Sequence, residues 1–374
     1  MMTTTRREFI FTSAKGIIAL SALPLISSCG AASRDLSKEP ERPKLADIIG
    51  KDKAEILYLA SLAPSGHNSQ PWKVQIENPD KWVLSLDESR LLPAVDPTGR
   101  ESLLSLGAFL ENLSAAALNF GYAAKYEVIE GSNLLATRIN IGLVKAGPIK
   151  FDVSKIKMRR TLRAGFLNTG LSADDFNFIT GGNKSFIYYS PASREGKYLA
   201  EGTVEANVLQ AGRADSVKEL SEWIRFSNSG AEKYKDGLTP ASMDITGIAG
   251  LFVRMFYDKE SVMSESFKEK TIEMAKDQCS SLGGWIVITS PDSSARHLVE
   301  TGRLFEQACL LIRERNVALH PMSQMLEEDK FKHDAAKELG IDGQVQFILR
   351  AGYVKQYPEP VTLRRPVDWF AVSA

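Results

Sequence analysis

The densest set of side chains able to do chemistry lies in one segment, Ala63-Pro64-Ser65-Gly66-His67-Asn68-Ser69-Gln70-Pro71-Trp72. Ser65, His67, Asn68 and Ser69 put hydroxyl, imidazole and amide groups into one short loop, and Gln70 adds a second amide. Such a set can hydrogen-bond the edge of a planar heteroaromatic ring. Ordinary helix-to-strand turn chemistry also draws on Pro, Ser and Asn, but the order here is more particular than a turn requires. His67 reads equally as a group facing a ligand and as a structural loop residue. His297, His320 and His333 show no metal-ligand spacing with one another or with carboxylates, and no metal site is expected. No G-x-G-x-x-G follows a strand, so a Rossmann dinucleotide site is unsupported. A G-x-S-x-G nucleophile elbow is missing as well.

The elements that must position this loop follow from periodicity. Lys53 to Ala63 repeats apolar residues at helical spacing, and Pro64 prevents the helix from continuing. Trp72 to Ile76 and Trp82 to Leu86 alternate as half-buried strands. Ser102 to Tyr122 predicts a long helix, and the Tyr126 region and Arg138 to Leu143 predict further strands. A second unit begins near residue 150. It carries strands at Ser185 to Tyr189, Trp285 to Thr289 and Val345 to Leu349, and helices at Glu195 to Gly212, Ser216 to Phe226 and Ser293 to Arg315. Asn228 to Phe256 mixes Gly, Thr, Pro and Ser with apolar residues and reads as an irregular segment, a candidate lid over about 229–256.

Composition narrows the class. The 374 residues are 44% apolar and 25% charged with a formal net charge of zero, the balance of a globular protein with a sizeable core. No basic excess points to nucleic acid. Residues 1–29 read as a targeting segment. Thr5-Arg6-Arg7-Glu8-Phe9-Ile10 is a twin-arginine motif, an apolar stretch runs from Ile17 to Ile26, and Ile26-Ser27-Ser28-Cys29 reads as a lipobox. The expectation is export of a folded protein, periplasmic or membrane-anchored through lipid on Cys29, with the membrane touched only by that anchor. One acyl chain binds membranes marginally, so stable anchoring calls for more than one. Residues 30–50 are polar and read as a tether. Cys279 and Cys309 could pair in an oxidising compartment, while their helix-like apolar surroundings equally fit two buried free thiols.

There is also a weak internal repeat. Gly107-Ala108-Phe109-Leu110-Glu111-Asn112 and Gly302-Arg303-Leu304-Phe305-Glu306-Gln307 lie about 195 residues apart, each in a long Leu- and Ala-bearing helix. A repeat of that size implies two copies of one domain packed as a pseudo-symmetric pair.

With these residues in hand, the Ala63–Trp72 segment resembles the A-P-S-x-x-N-x-Q-P-W signature of the nitroreductase-like flavoproteins. His67, the export signal and the double length resemble the Acg-type branch. In ordinary members a homodimer shares each FMN site: one subunit gives the P-S-x-x-N loop, the other an R-x-S-x-R segment and a basic pair near its C-terminus. Here the first half (51–150) has the loop without an upstream R-x-S-x-R, and between Asp35 and Ala63 the only arginine is Arg42. The second half (151–374) has Arg159-Arg160-Thr161-Leu162-Arg163 and Leu363-Arg364-Arg365-Pro366-Val367 but no second loop. Each half keeps what the other lacks, so one shared site is expected and its pseudo-symmetric counterpart should be dead.

The resemblance implies an α+β fold of two fused halves, each with an antiparallel-rich sheet, forming a pseudo-dimer within one monomeric chain. It implies FMN as cofactor. Arg159, Thr161 and one of Arg364 or Arg365 would bind its phosphate, with Arg160 beside them. Arg163 would lie near the flavin N1 and O2 edge and favour the reduced anion. Pro64, Ser65, His67 and Asn68 would border the ring, and Met322 and Ser323 would bring backbone N–H groups toward N5. No catalytic residue is assigned. The activity implied is FMN-dependent oxidoreduction with a small-molecule electron donor or acceptor. NAD(P)H is scarce outside the cytoplasm, so a flavin-sequestering protein with little turnover is the rival. A third reading, a scaffold that has lost FMN, is opposed by Asn68, Thr161 and Arg163.

Overall fold

The computed structural model describes residues 43–373. The twin-arginine motif, the lipobox with Cys29 and most of the expected tether lie outside the described residues. The expected tether ran to residue 50, but packing begins at Leu45. Leu45, Ala46 and Ile49 are buried, the last two in a short helix α1 (Ala46–Ile49). The Asp368 carboxylate accepts the Lys44 and Leu45 N–H groups at 2.9 and 3.3 Å and fixes where the chain enters the fold.

The first half runs through α2 (Lys51–Ala60), β1 (Trp72–Asn78), β2 (Lys81–Leu86), the long α3 (Arg100–Asn119), β3 (Tyr122–Ile129) and β4 (Arg138–Lys145). The second opens with α4 (Ser154–Met158), α5 (Ala173–Thr180) and β5 (Phe186–Tyr189). Helices α6 (Arg194–Gly212), α7 (Ala214–Trp223), α8 (Asn228–Tyr234), α9 (Gly247–Phe256), α10 (Lys259–Val262) and α11 (Glu265–Ser280) follow. Then come β6 (Gly284–Ser290), the long α12 (Ala295–Leu311), β7 (Val317–Pro321), β8 (Gln344–Tyr353) and β9 (Ala371–Ser373). The segment read as irregular, 228–256, thus contains two helices, with Gly237, Thr239 and Thr246 in the stretch between them.

The architecture is α+β, and its two halves share one plan. Each runs strand, strand, long helix, strand, strand. The sheet orders, read in corresponding directions, are β3-β4-β2-β1 and β7-β8-β6-β5. Every pairing within these two sets is antiparallel. Two features break the symmetry. Asn78 and Lys81 bracket a two-residue turn between β1 and β2, whereas residues 190–283 intervene between the equivalent β5 and β6. In addition, β9 from the far end of the chain pairs in parallel with β1, Val74 opposite Ala371, and completes a five-stranded first sheet. The C-terminal segment therefore leaves the second half and finishes in the first.

The halves meet through α3 and α12. Asp96 caps α3, accepting the Glu101 and Ser102 N–H groups at 3.1 and 2.9 Å. The Ser294 side chain caps α12. The helices cross at the two glycines of the sequence repeat. A Cβ on Gly107 would stand 2.1 Å from the Val299 carbonyl oxygen, and one on Gly302 would stand 2.0 Å from that of Leu104. Both obstacles are helix backbone and cannot rotate away. Leu103, Leu106 and Leu110 of α3 then pack with Leu298 and Val299 of α12 in one core that also holds Trp72, Trp82 and Phe109.

No helix among the described residues is long and apolar enough to cross a membrane. Cys279 and Cys309 are free and buried, and burial pushes both thiols up, Cys279 to about 12.

Intrinsic helix propensity would make Gly302→Ala stabilising by about 1 kcal/mol. The backbone contact predicts the opposite sign, a loss of roughly 1–3 kcal/mol through overpacking. A thermal melt decides it: a Tm equal to or above that of the wild type rules out this crossing.

Candidate functional site

The loop after α2 is held in an uncommon shape. His67, Asn68 and Gln70 all have positive φ, at 47°, 53° and 54°. Left-handed backbone disfavours side chains other than Gly and Asn, so His67 and Gln70 need outside support. Part of it is local: the Ser65 hydroxyl accepts the Gln70 N–H at 2.9 Å. More comes from the C-terminal arginines. Arg364 donates to the Leu62 and Ala63 carbonyls beyond α2 at 2.9 and 3.0 Å, and to Asn68 Oδ1 at 2.9 Å. Arg365 donates to the Gln70 and Trp72 carbonyls at 2.5 and 3.0 Å, and its own N–H reaches Gln70 Oε1 at 2.9 Å. The predicted loop and the predicted basic pair therefore meet directly, and Arg365 serves the loop's conformation. Burial lowers Arg365 to about 10.

The segment after β5 closes over this loop. Asn68 Nδ2 donates to the Gly237 carbonyl at 3.1 Å, and Gly237 N–H donates back to the Asn68 carbonyl at 3.2 Å. Gln70 Nε2 donates to the Lys235 carbonyl at 3.0 Å. Between these, Asp236 is buried and ion-paired to Arg90 and Arg225, and Arg90 also donates to the Ser69 carbonyl at 2.5 Å. A few residues on, the same segment latches the arginine motif. The Asp244 carboxylate pairs with Arg160 and accepts the Arg163 and Ala164 N–H groups at 2.5 and 3.2 Å. Arg163 Nη1 donates to the Ser242 carbonyl at 2.6 Å. A surface cleft of about 720 Å³ borders this segment at Arg90, Trp223, Arg225 and Asp236, but its lining includes neither loop residues 64–68 nor the arginine motif.

Behind the latch the charges are crowded. Arg163 is lowered by burial, opposed by Asp244 and reinforced by the cations of Arg160 and Arg159. His67 is lowered to about 4, by burial first and then by Arg163, so its imidazole is neutral at pH 7. His320 is lowered by burial, Arg163 and Arg350. Arg350 is itself lowered to about 10 by burial; it donates to the Arg163 carbonyl at 3.1 Å and stacks on Phe166 at 3.9 Å.

Arg159 is held differently from its neighbours. Its hydrogen bond to Thr161 Oγ1 is 3.4 Å, its ion pair with Glu306 is 3.5 Å, and its buried Nε makes no hydrogen bond. Arg160 Nε, His67 Nδ1 and His320 Nδ1 are also buried without hydrogen-bond partners. Buried polar atoms left in this state are costly unless a ligand or water answers them. The donor set is cationic and planar-forked, which suits a phosphate-bearing heteroaromatic ligand.

Pro64, Ser65, His67, Asn68, Arg159, Arg160, Thr161, Arg163, Arg364 and Arg365 thus fall into one connected neighbourhood. Met322 and Ser323 are stitched to β8. Met322 N–H donates to the Ile348 carbonyl at 2.8 Å, and Ser323 Oγ accepts Ile348 N–H at 3.1 Å. The Met322 N–H therefore belongs to the sheet, which corrects the expectation that it faces a ligand. Asp244, Arg350, His320 and Glu306 were not foreseen at the site. Glu306 had a readable signal: an acid on the buried face of a repeat helix demands a cation. Among the described residues no cluster of His, Cys, Asp or Glu could hold a metal ion.

Comparison with known proteins finds relatives along most of the chain. The chain is 25% identical over 356 residues to acg of Mycobacterium tuberculosis, covering 88% of this chain and 96% of the relative. It is 23% identical over 331 residues to PigM of a Serratia species, covering 82% and 90%. Both relatives carry NAD(P)H nitroreductase in names that assign the activity provisionally. Among solved structures, the FMN-dependent nitroreductase NfnB of Mycobacterium smegmatis matches with a TM-score of 0.33 and 12% identity, over 55% of this chain and 91% of that one. No family model matches the sequence.

Glu306 is fully buried, and desolvation, ahead of the opposing pull of Arg159, raises its carboxyl to about 7. Between about pH 4.5 and 7 the folded chain holds a proton that the unfolded chain releases. The stability from this proton is complete below 4.5 and lost as pH rises through 7. Relative to Glu306→Gln, the wild type should therefore lose on the order of 2–3 kcal/mol between pH 4.5 and 8. A pH-independent difference in denaturant stability would refute the assignment.

Proposed function

We propose that the protein is an FMN-binding oxidoreductase of the nitroreductase-like class, with its single site formed between the two halves. The carrying observation is the cationic neighbourhood at the Pro64–Gln70 loop, where Arg160 Nε, His67 Nδ1 and His320 Nδ1 are buried without a hydrogen-bond partner and Arg159 Nε has only a 3.5 Å ion pair with Glu306. Arg159 and Thr161 would hold the phosphate, helped by Arg364, because Arg159 is the guanidinium least committed to the protein. Arg163 would place positive charge at the N1 and O2 edge of the ring, and Ser65 and Asn68 would meet its other polar atoms. When bound, FMN supplies hydride or electron transfer with a small-molecule donor or acceptor. Neutral His67 borders the ring without adding a second cation.

A specific observation favours the rival reading of a covered flavin with slow turnover. Residues 235–237 and 241–244 hydrogen-bond to the loop and to the arginine motif at the same time. A reductant must displace those contacts or act across them. The two readings share the cofactor and differ in access.

We further propose that residues 1–29 direct export by the twin-arginine route and that Cys29 carries lipid, from the motifs Thr5–Ile10 and Ile26–Cys29. Cys29→Ser should then move the protein from the membrane fraction to the soluble fraction; an unchanged distribution sinks this reading.

The visible spectrum of the chain expressed without residues 1–29 tests the central proposal. A flavin spectrum bleached by NADH supports the open reductase, and one bleached only by dithionite supports the covered form. No flavin after incubation with FMN overturns both. Arg163→Ala should weaken FMN binding by about tenfold or more, as loss of a charge-assisted hydrogen bond does, and lower the flavin potential. Asn68→Ala should weaken binding less. Unchanged flavin content and potential in both variants would remove the site assignment.

A further inference from the structure

Helix α9 (Gly247–Phe256) is apolar on two sides. Its inner side puts Val253 against a small satellite core of Val217, Ile224, Phe226 and Val262, which Tyr257, just past the helix end, also joins. Its outer side leaves Leu251, Met255 and Phe256 at 49%, 64% and 54% exposure. Phe252 lies between them, its ring tilted by 36° against that of Phe256 with centroids 4.6 Å apart. At 100° per residue, Leu251, Met255, Phe252 and Phe256 sweep a continuous arc of about 140°. The one charged residue of the helix, Arg254, falls outside that arc. A surface helix that only had to cover its own core would be polar on this side. An apolar strip of this kind marks a contact surface.

We propose that this face of α9 seats in the interface of a lipid bilayer, as the second attachment of a chain whose first attachment is lipid on Cys29. The choice of lipid over a protein partner follows from the N-terminal segment. Lipid on Cys29 would hold the chain within tether length of a bilayer, whose interface is then the apolar phase that an exposed α9 meets first. The tether permits it. From Cys29 to Pro43 there are fourteen peptide steps, 43 minus 29, spanning up to ~50 Å. The 331 described residues, 43 to 373, have an expected radius of gyration of only ~20 Å. The anchor and α9 can therefore reach the same bilayer. An interfacial helix lies in the headgroup plane with its apolar face inward, and Arg254, at the border of the arc, can extend its guanidinium to the headgroups.

The inference rests on the Cys29 reading and not on FMN, and the test separates the two attachments. The full chain carrying Met255→Trp is mixed with phosphatidylcholine vesicles whose acyl chains are brominated. The emission that M255W adds over the five native tryptophans, read as the difference from the wild type, should shift to the blue and be largely quenched, while the wild type changes little. In parallel, L251S/F256S should lower vesicle partition by about tenfold. Quenching without lipid on Cys29, read by mass, keeps the α9 contact and removes the anchor. Sedimentation with vesicles without quenching keeps the anchor and overturns the α9 proposal, as does the absence of both. A dimer formed without vesicles and abolished by Phe256→Asp also overturns it, in favour of a second copy of the chain.

Discussion

Two backbones touch where Gly107 and Gly302 cross, and much else follows from that contact. With no side chains between them, α3 and α12 approach closely enough for their leucines to interdigitate, and the two sheets are fixed relative to each other. The Pro64–Gln70 loop belongs to one half and the Arg159–Arg163 motif to the other. Their alignment depends on the same helix pair, because Glu306 of α12 reaches Arg159 from the buried face of the crossing. A wider separation would part the loop from the arginines before it disturbed either sheet internally.

Within that frame the site is an electrostatic balance. Arg159, Arg160, Arg163 and Arg350 converge, three of them buried and Arg163 half-buried, against Asp244 and a Glu306 that burial keeps near its neutral form. Two histidines stay uncharged beside them. The Asp244 carboxylate comes from the covering segment, so the protein supplies its own anion to two of the arginines. A ligand phosphate would not need to displace it, since Arg159 stands on the Glu306 side with long contacts only.

Much of this was legible in the sequence, for reasons that differ by element. The strands at Trp72, Trp82 and Arg138 alternate cleanly, and the helix at Ser102 is long enough to be unambiguous. The repeat at Gly107 and Gly302 could be read because close packing demands the same small residue in both copies. The complementary loss of motifs between the halves pointed to one shared neighbourhood, and the loop, the arginine motif and the basic pair do converge. Other features left no local trace. The strand at Val317 and the helix Glu265–Ser280 lack a clear period, one being short and buried and the other mostly polar. Asp244 carries no motif: its place depends on a left-handed φ of 60° that only the folded segment imposes. Nor did Ala371–Ser373 announce itself, since three residues cannot show alternation and their partner strand lies about 300 positions earlier.

That last pairing has a consequence for the order of events during synthesis. A ribosome delivers the first half at 5–20 residues per second, and ordinary domains fold as they emerge. Here the edge of the first sheet, the support for its strained loop and the anchoring of Lys44 all depend on residues 364–373. None of these can form until residues 364–373 have themselves been made and released from the exit tunnel. The nascent first half must therefore wait, with one strand edge open, for a partner made after the whole second sheet. A ligand that needs the supported loop can bind only after those residues are in place.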